Sequence, residues 1–211
     1  DPNNKEIKAA RDRKIQVFTW QEFMGLFLQK GKYVIAVCGA HGKSTVSAMI
    51  GVCLSDANLD PTVELGAIVP RWDSNYRVGH GKYFVAEADE YHDNFLSIKP
   101  DIAVITNIEM DHPEYFNDFE AIKESYFKFI SQTKNKIIAN LADAGVKQVI
   151  SRLIKNKDVQ TPDIIDYSKK TINFPLLIPG EFNKQNATAA YIVGLACGIA
   201  PDSIKRSLMH F

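Results

Sequence analysis

The sequence predicts an α/β fold in three layers, a mainly parallel sheet flanked by helices. Three observations predict it. Short continuous apolar runs bounded by glycine or polar residues recur along the chain, as strands buried on both faces require. Segments with apolar residues at helical spacing separate those runs. A glycine-rich loop joins the first run to the helix after it. In open sheets of this kind ligands lie beyond the carboxyl ends of the strands. The residues just after each apolar run are therefore the ones to read for chemistry.

Residues 1–32 read as a lead-in. Residues 9–15 are basic, and Thr19 with Glu22 three positions on forms a capping box that opens a helix. Residues 33–37 form the first strand. Residues 43–54 form the next helix, with Val46, Met49, Ile50, Cys53 and Leu54 at helical spacing. Residues 83–86 and 102–105 are the second and third strands. A helix over 119–130 follows, then a fourth strand over 136–139 and a helix over 142–154. Between 155 and 180, Ile164-Ile165 and residues 176–178 fit short strands between polar turns. An Ala-rich helix over 183–199 and a short one over 203–209 complete the alternation.

Composition bounds the function. At about 100–200 residues per domain, 211 residues make one full domain. Lys+Arg and Asp+Glu are 25 each, a net charge of zero, which argues against a nucleic-acid partner. No apolar run approaches the roughly 18 residues of a membrane span, and Asp1-Pro2-Asn3-Asn4-Lys5 lacks a signal peptide's apolar stretch. A cytoplasmic protein with no membrane partner is the expectation. The 3 cysteines, Cys38, Cys53 and Cys197, sit among apolar residues without a Cys-x-x-Cys pair. They read as reduced, buried thiols, and the spacing excludes a structural zinc site.

The loop after the first strand carries the strongest chemical signal: Gly39-Ala40-His41-Gly42-Lys43-Ser44-Thr45. Glycines let backbone N–H groups turn toward a phosphate, and the following helix adds its positive end. Lys43 supplies a cation for the β- and γ-phosphates, and the Ser44 hydroxyl suits Mg²⁺. The usual phosphate-loop pattern fails at its first glycine, where Val37 stands, but the shorter G-x-x-G-K-[ST] is intact. The domain is therefore expected to be of the P-loop type, with a structural glycine-rich turn as the bland alternative.

Glu87, Asp89 and Glu90 follow the second strand directly. Such a cluster is solvated or neutralised by a cation, and Mg²⁺ favours carboxylate, water and phosphate oxygens. The third strand runs into Thr106-Asn107-Ile108-Glu109-Met110-Asp111-His112. A loop histidine is usually a surface residue; beside Ser44 and Glu87, His112 becomes a candidate metal ligand. Asn183 and Asn186 open the long helix after Pro179-Gly180. Helix capping is the favoured reading of these two, and adenine recognition through the side-chain amide is the other.

Four segments together resemble the Mur ligases. The loop 39–45 resembles that family's G-T-H-G-K-T-T. Phe84-Val85-Ala86-Glu87-Ala88-Asp89-Glu90 resembles its E-A-D-E-S segment, residues 105–112 its T-N-I-E-x-D-H, and residues 179–187 its P-G-x-H-N-x-x-N-A. Asn75, Arg77 and Gly79 resemble a substrate-side N-x-R-x-G. The resemblance implies the central ATP-binding domain over residues 33–211, with 1–32 as the tail of an N-terminal UDP-sugar domain or a linker. It implies that a C-terminal amino-acid domain is absent here. The implied reaction joins an amino acid, L-alanine in the branch it most resembles, to UDP-N-acetylmuramate through an acyl phosphate in peptidoglycan precursor synthesis. The implied cofactors are ATP and Mg²⁺, and the implied partners are the UDP-sugar acceptor and the amino acid.

By the same resemblance Lys43 stabilises the transferring phosphoryl group and His41 lies near the γ-phosphate. Gly39, Ala40, Gly42 and Thr45 cradle phosphate with them. Ser44 and Glu87 hold one Mg²⁺, His112 helps hold a second, and Asn183 and Asn186 contact the nucleotide. Asn75, Arg77 and Glu90 are implied on the substrate side. The sequence departs from the family at Phe182, where a histidine is usual, and at Tyr91-His92, where Ser-Asp is usual. The second departure leaves a muropeptide or polyglutamate acceptor open. A non-catalytic nucleotide-binding module is the alternative of another class. Several family members carry a carbamylated lysine after the D-H motif. Here Tyr126 or Phe127 falls at that register, with Lys128 as the candidate lysine.

Overall fold

The computed structural model describes residues 3–211. Its centre is a sheet of 7 strands, β1 (Tyr33–Cys38), β2 (Thr62–Val69), β3 (Ser74–Arg77), β4 (Tyr83–Glu87), β5 (Ile102–Ile105), β6 (Lys136–Ala139) and β7 (Asp163–Asp166). They lie in the order β3-β2-β4-β1-β5-β6-β7. Every pairing is parallel except β2 with β3, which close an antiparallel hairpin at one edge.

The helices are α1 (Lys5–Asp12), α2 (Trp20–Phe23), α3 (Lys43–Asp56), α4 (Phe119–Ile130), α5 (Ala144–Lys155), α6 (Glu181–Ala196) and α7 (Pro201–Met209). They divide between the sheet's faces as the strand pleat dictates. Ile35 and Val37 of β1 point into a core shared with α3, α6 and α7. Val34, Ala36 and Cys38 point into a second core with α4 and α5. The three layers expected from the sequence are present.

β1, β5, β6 and α4 lie where the apolar patterning puts them, within one residue. α5 and α6 start elsewhere. Asp143 caps α5, its Oδ1 accepting the Val146 N–H at 2.8 Å. α6 starts at Glu181 with Gly180 in the N-cap position. Three elements were not expected. α1 buries no residue and is held by its Asn4 cap. β2 and β3 form the polar edge hairpin, where only one face needs apolar residues. Of the two short strands expected between 155 and 180, β7 forms and residues 176–178 stay irregular. Thr19 does close the expected capping box, but α2 gives way after one turn to a π-turn over Met24–Leu28.

This topology positions a site. β4, β1 and β5 are adjacent and parallel, with Val37 opposite Glu87 and Cys38 opposite Ile105. The loops that follow these three strands therefore leave one sheet edge side by side. Among the described residues no helix is long and apolar enough to cross a membrane.

Candidate functional site

The glycine-rich loop is bolted to the end of β5. Gly39 has φ +138°, which an L-residue adopts only under strain. A Cβ there would stand 2.0 Å from Thr106 Oγ1 and 2.9 Å from the Asn107 carbonyl. The closeness serves four hydrogen bonds. Ala40 N–H donates to the Asn107 carbonyl at 3.2 Å and His41 N–H to Asn107 Oδ1 at 2.8 Å. Thr106 Oγ1 and Asn107 Nδ2 both donate to the His41 carbonyl, at 2.6 and 3.1 Å. Gly42, at φ +85°, is the N-cap of α3 and leaves that helix end without a side-chain cap.

Lys43 opens α3 and reaches Glu90, with Nζ 3.2 and 3.4 Å from the two carboxylate oxygens. The side chains are 13% and 2% exposed. Buried Tyr126 lies near the same carboxylate. Burial, and then the nearby Cys38 and Glu90, push that phenol well up, so it stays a donor. Glu90 is thus Lys43's partner inside the protein, where the sequence implied a substrate-side residue. Burial likewise pushes the Cys38 thiol well up.

Asp89, Glu90 and His112 each bring a ligand atom within 4.8 Å of one another, the one such group among the described residues. Two carboxylates and an imidazole suit a divalent cation. The expected set was Ser44, Glu87 and His112. Ser44 stands in the first turn of α3, and Glu87 Oε2 instead accepts the Gly66 N–H at 2.8 Å. His112 has φ +54° and lies against Tyr91, ring centroids 4.4 Å apart. His92 sits between Tyr91 and Tyr115 at 4.1 and 4.6 Å. The departure at Tyr91-His92 therefore builds an aromatic wall beside His112.

Glu87 faces a cleft of about 340 Å³ lined by Trp20, Lys43, Glu64, Gly66 and Asp89 among others. Trp20 Nε1 donates to Glu64 Oε1 at 3.3 Å. Burial pushes the Glu64 carboxyl up, the Trp20 bond opposes this and the Glu87 charge adds to it. Sequence reading missed Glu64, since β2 carries no apolar run long enough to announce itself, and missed Trp20, which opens the expected helix α2 with no chemical motif around it. A neighbouring cleft of about 560 Å³ shares both residues and is lined by Asn75 and Arg77. Asn75 Nδ2 donates to the Leu65 carbonyl. Arg77 donates to the Pro61 carbonyl at 2.6 Å and to Asp60 Oδ1 at 2.7 Å. A third cavity, about 490 Å³ between residues 170–174 and the helices α6 and α7, holds none of the expected site residues.

The capping reading of the two asparagines fails, because Gly180 takes the N-cap position. Asn183 Nδ2 instead donates back to the Pro179 carbonyl at 2.7 Å, and Asn186 Nδ2 to Asn183 Oδ1 at 3.3 Å. A Cβ on Gly42 would stand 2.7 Å from Asn186 Oδ1, so this chain of amides buttresses the phosphate loop. His41 is exposed and lies 3.7 Å from Glu109. Phe182, 67% exposed, lies at the start of α6 with its ring over Gly180. Lys128 is exposed. At the register of the family's modified lysine it is Tyr126 that turns inward.

The family profile described as Mur ligase middle domain matches residues 37–194. The chain belongs to the Mur ligases. It is 36% identical to the UDP-N-acetylmuramate–L-alanine ligase of Caldicellulosiruptor saccharolyticus, over 99% of this chain and 51% of that protein. To the enzyme of that name from Fusobacterium nucleatum it is 34% identical, over 99% of this chain and 49% of the other. The chain thus spans about half the length of the curated relatives it matches. Among solved structures it matches the UDP-N-acetylmuramate–alanine ligase of Thermotoga maritima with a TM-score of 0.81 at 22% identity, covering 99% of this chain and 52% of that one. It matches the UDP-N-acetylmuramate:L-alanyl-gamma-D-glutamyl-meso-diaminopimelate ligase of Neisseria meningitides at 0.86 and 18% identity, covering 100% and 76%. At these identities the two structures establish the shared fold of this Mur ligase domain.

Proposed function

We propose that this chain is the ATP-binding part of a ligase that joins L-alanine to UDP-N-acetylmuramate. One observation carries the reading. Lys43 sits under a loop clamped by Thr106 and Asn107, on the sheet edge it shares with Glu87, Asp89 and His112. The two relatives' names supply the substrates.

In this reading the loop 39–45 and the start of α3 take the β- and γ-phosphates, with Lys43 against the transferring phosphoryl group. Asn183 and Asn186 hold the loop from behind, and Phe182 offers a face to adenine. The acceptor carboxylate enters the cleft between Trp20, Lys43 and Glu87. It attacks the γ-phosphorus, ADP leaves and an acyl phosphate remains. The amine then attacks the acyl carbon, the amide forms, and phosphate and a proton leave. Asp89, Glu90 and His112, with Ser44 and Glu87 nearby along the same edge, are the residues to hold Mg²⁺. When bound, Mg²⁺ supplies screening of the phosphate charge.

The test uses the protein extended to its relatives' full length. ADP release must require both UDP-N-acetylmuramate and L-alanine; turnover at full rate without the amino acid sinks the reading. The wall of Tyr91, His92 and Tyr115 beside His112 favours one competitor, a muropeptide acceptor. Exclusive use of UDP-N-acetylmuramate in an acceptor screen rejects it. Nucleotide binding without any ADP release would leave a non-catalytic module.

A further inference from the structure

The candidate cation ligands stand on two turns that leave different strands, Asp89 and Glu90 after β4 and His112 after β5. β1 lies between those strands, so no ladder joins the two turns directly. A side chain joins them instead. Asp93 accepts the Tyr115 hydroxyl at Oδ2, 2.9 Å away, and the Ser125 hydroxyl at Oδ1. Each end of the Asp93–Tyr115 bond is one backbone hydrogen bond from a ligand residue. Asp93 N–H donates to the Glu90 carbonyl at 3.0 Å, and Tyr115 N–H to the His112 carbonyl at 2.9 Å. Ser125 is buried on α4 and anchors the junction to that helix.

The backbone bears the mark of this junction. His92, Asp93 and His112 all stand in the left-handed region, at φ +52°, +58° and +54°. L-residues keep that conformation only where their surroundings over-determine it. The rings of His92 and Tyr115 lie 4.6 Å apart, and those of Tyr91 and His112 4.4 Å apart. Each turn therefore packs on the other's side chains as well.

We propose that Asp93 is a positioning residue that, through Tyr115, sets the distance between the Asp89–Glu90 turn and the His112 imidazole, so that the three can ligate one divalent cation. Both Asp93 oxygens are taken by hydroxyls, so its part is to hold the ligands' turns. Partners that orient metal ligands carry a large share of metal affinity. The inference rests on the cation-site reading above and adds a residue to it.

The probe is Mn²⁺, which takes carboxylate and imidazole ligands, titrated into the 211-residue chain and followed by electron paramagnetic resonance. The free-ion signal gives the affinity, and spin-echo modulation shows whether an imidazole nitrogen is bound. The native chain should bind Mn²⁺ with imidazole coupling that His112→Ala removes. Tyr115→Phe keeps the ring and loses the hydroxyl; it should weaken Mn²⁺ about three- to tenfold. Asp93→Gly loses both bonds and tolerates the positive φ; it should weaken Mn²⁺ about tenfold or more. In both, the nitrogen coupling should fall while the carboxylates still hold the ion. Nitrogen coupling at native strength in either variant would overturn the proposal, since a merely structural Asp93 lowers the urea midpoint and leaves the coupling of the folded protein unchanged. Should Asp93→Gly not fold, Tyr115→Phe decides alone. A native chain that binds no Mn²⁺, or whose coupling is absent or survives His112→Ala, would instead overturn the cation-site reading, and this inference with it.

Discussion

Substituting Gly39 by alanine tests whether the phosphate loop is held by close approach to β5. The new methyl would lie 2.0 Å from Thr106 Oγ1 and 2.9 Å from the Asn107 carbonyl. Backbone atoms cannot step aside, so the loop must lift. An L-residue at φ +138° costs about 1–3 kcal/mol. Lifting also breaks the Thr106-to-His41 bond, at about 1 kcal/mol, and strains the three Asn107 bonds. Relaxation recovers part of this, so the expected destabilisation is about 2–4 kcal/mol, a large share of the roughly 5–15 kcal/mol of a typical domain. Urea unfolding reads the first number. Titration with adenylyl imidodiphosphate reads the second consequence, a loss of about tenfold or more, since the N–H groups no longer face the phosphate. Thr106→Val is the companion: it removes the hydroxyl bond but leaves the glycine free, and should cost about 1 kcal/mol. An alanine variant with native stability and native affinity would refute the clamp.

Other expectations follow from the same structure. Phe182→Ala should leave urea stability within about 0.5 kcal/mol, because the ring is exposed. It should weaken adenine nucleotides but not inorganic pyrophosphate; equal losses for both would remove the ring from the adenine site. Asp60 is held below the ordinary carboxylate value of 3.8 by the His80 N–H and then Arg77. Burial pushes Asp166 up, but bonds from the Ser168 hydroxyl and the Ser168 and Leu141 N–H groups outweigh it and hold it below 3.8. Both contribute stability that is present above pH 3.8 and lost as pH falls through their lower folded values. Urea midpoints between about pH 2 and 5 should therefore fall with acid, less steeply in Asp60→Asn and Asp166→Asn; unchanged slopes would deny these bonds. Burial pushes Cys53 to about 12 and Cys197 to about 11, and Cys38 also rises. At pH 8 a thiol reagent should label the native chain slowly, half-buried Cys197 first. Rapid labelling of Cys38 would show the core beneath the loop to be open.

What the sequence made legible was what continuous apolar runs and glycine spacing control. β1, β4, β5 and β6 are buried on both faces, so their Val, Ile and Ala runs are unambiguous. The phosphate loop was legible because Gly39 and Gly42 meet needs no other residue satisfies. β2 and β3 were not legible, because an edge hairpin buries one face and its pattern dissolves at Gly66 and in Ser74–Arg77. That blind spot hid Glu64 and the cleft it shares with Glu87. Side-chain pairing was equally hidden. Glu90 reads like its neighbours Glu87 and Asp89, and only folding shows that it faces inward to Lys43. The asparagines misled because an Asn near a helix start is a good cap, while Gly180 already held that place. The stretch between Leu141 and Pro179 reads as shorter than the family usually has. The alignment with the Caldicellulosiruptor relative runs over 232 positions, more than the 211 residues of this chain, so that relative carries residues this chain lacks.

In the proposed function Lys43 and its loop hold the phosphates of ATP. Calorimetric titration of the native chain and Lys43→Ala with adenylyl imidodiphosphate and Mg²⁺ tests it most directly. Losing a charge-assisted phosphate contact should cost about 1.5–3 kcal/mol, or roughly 10- to 150-fold in affinity. A native chain that binds and a variant that loses that much would bear the account out. Native and Lys43→Ala chains of equal affinity, or a native chain extended to its relatives' full length that binds no nucleotide, would contradict it.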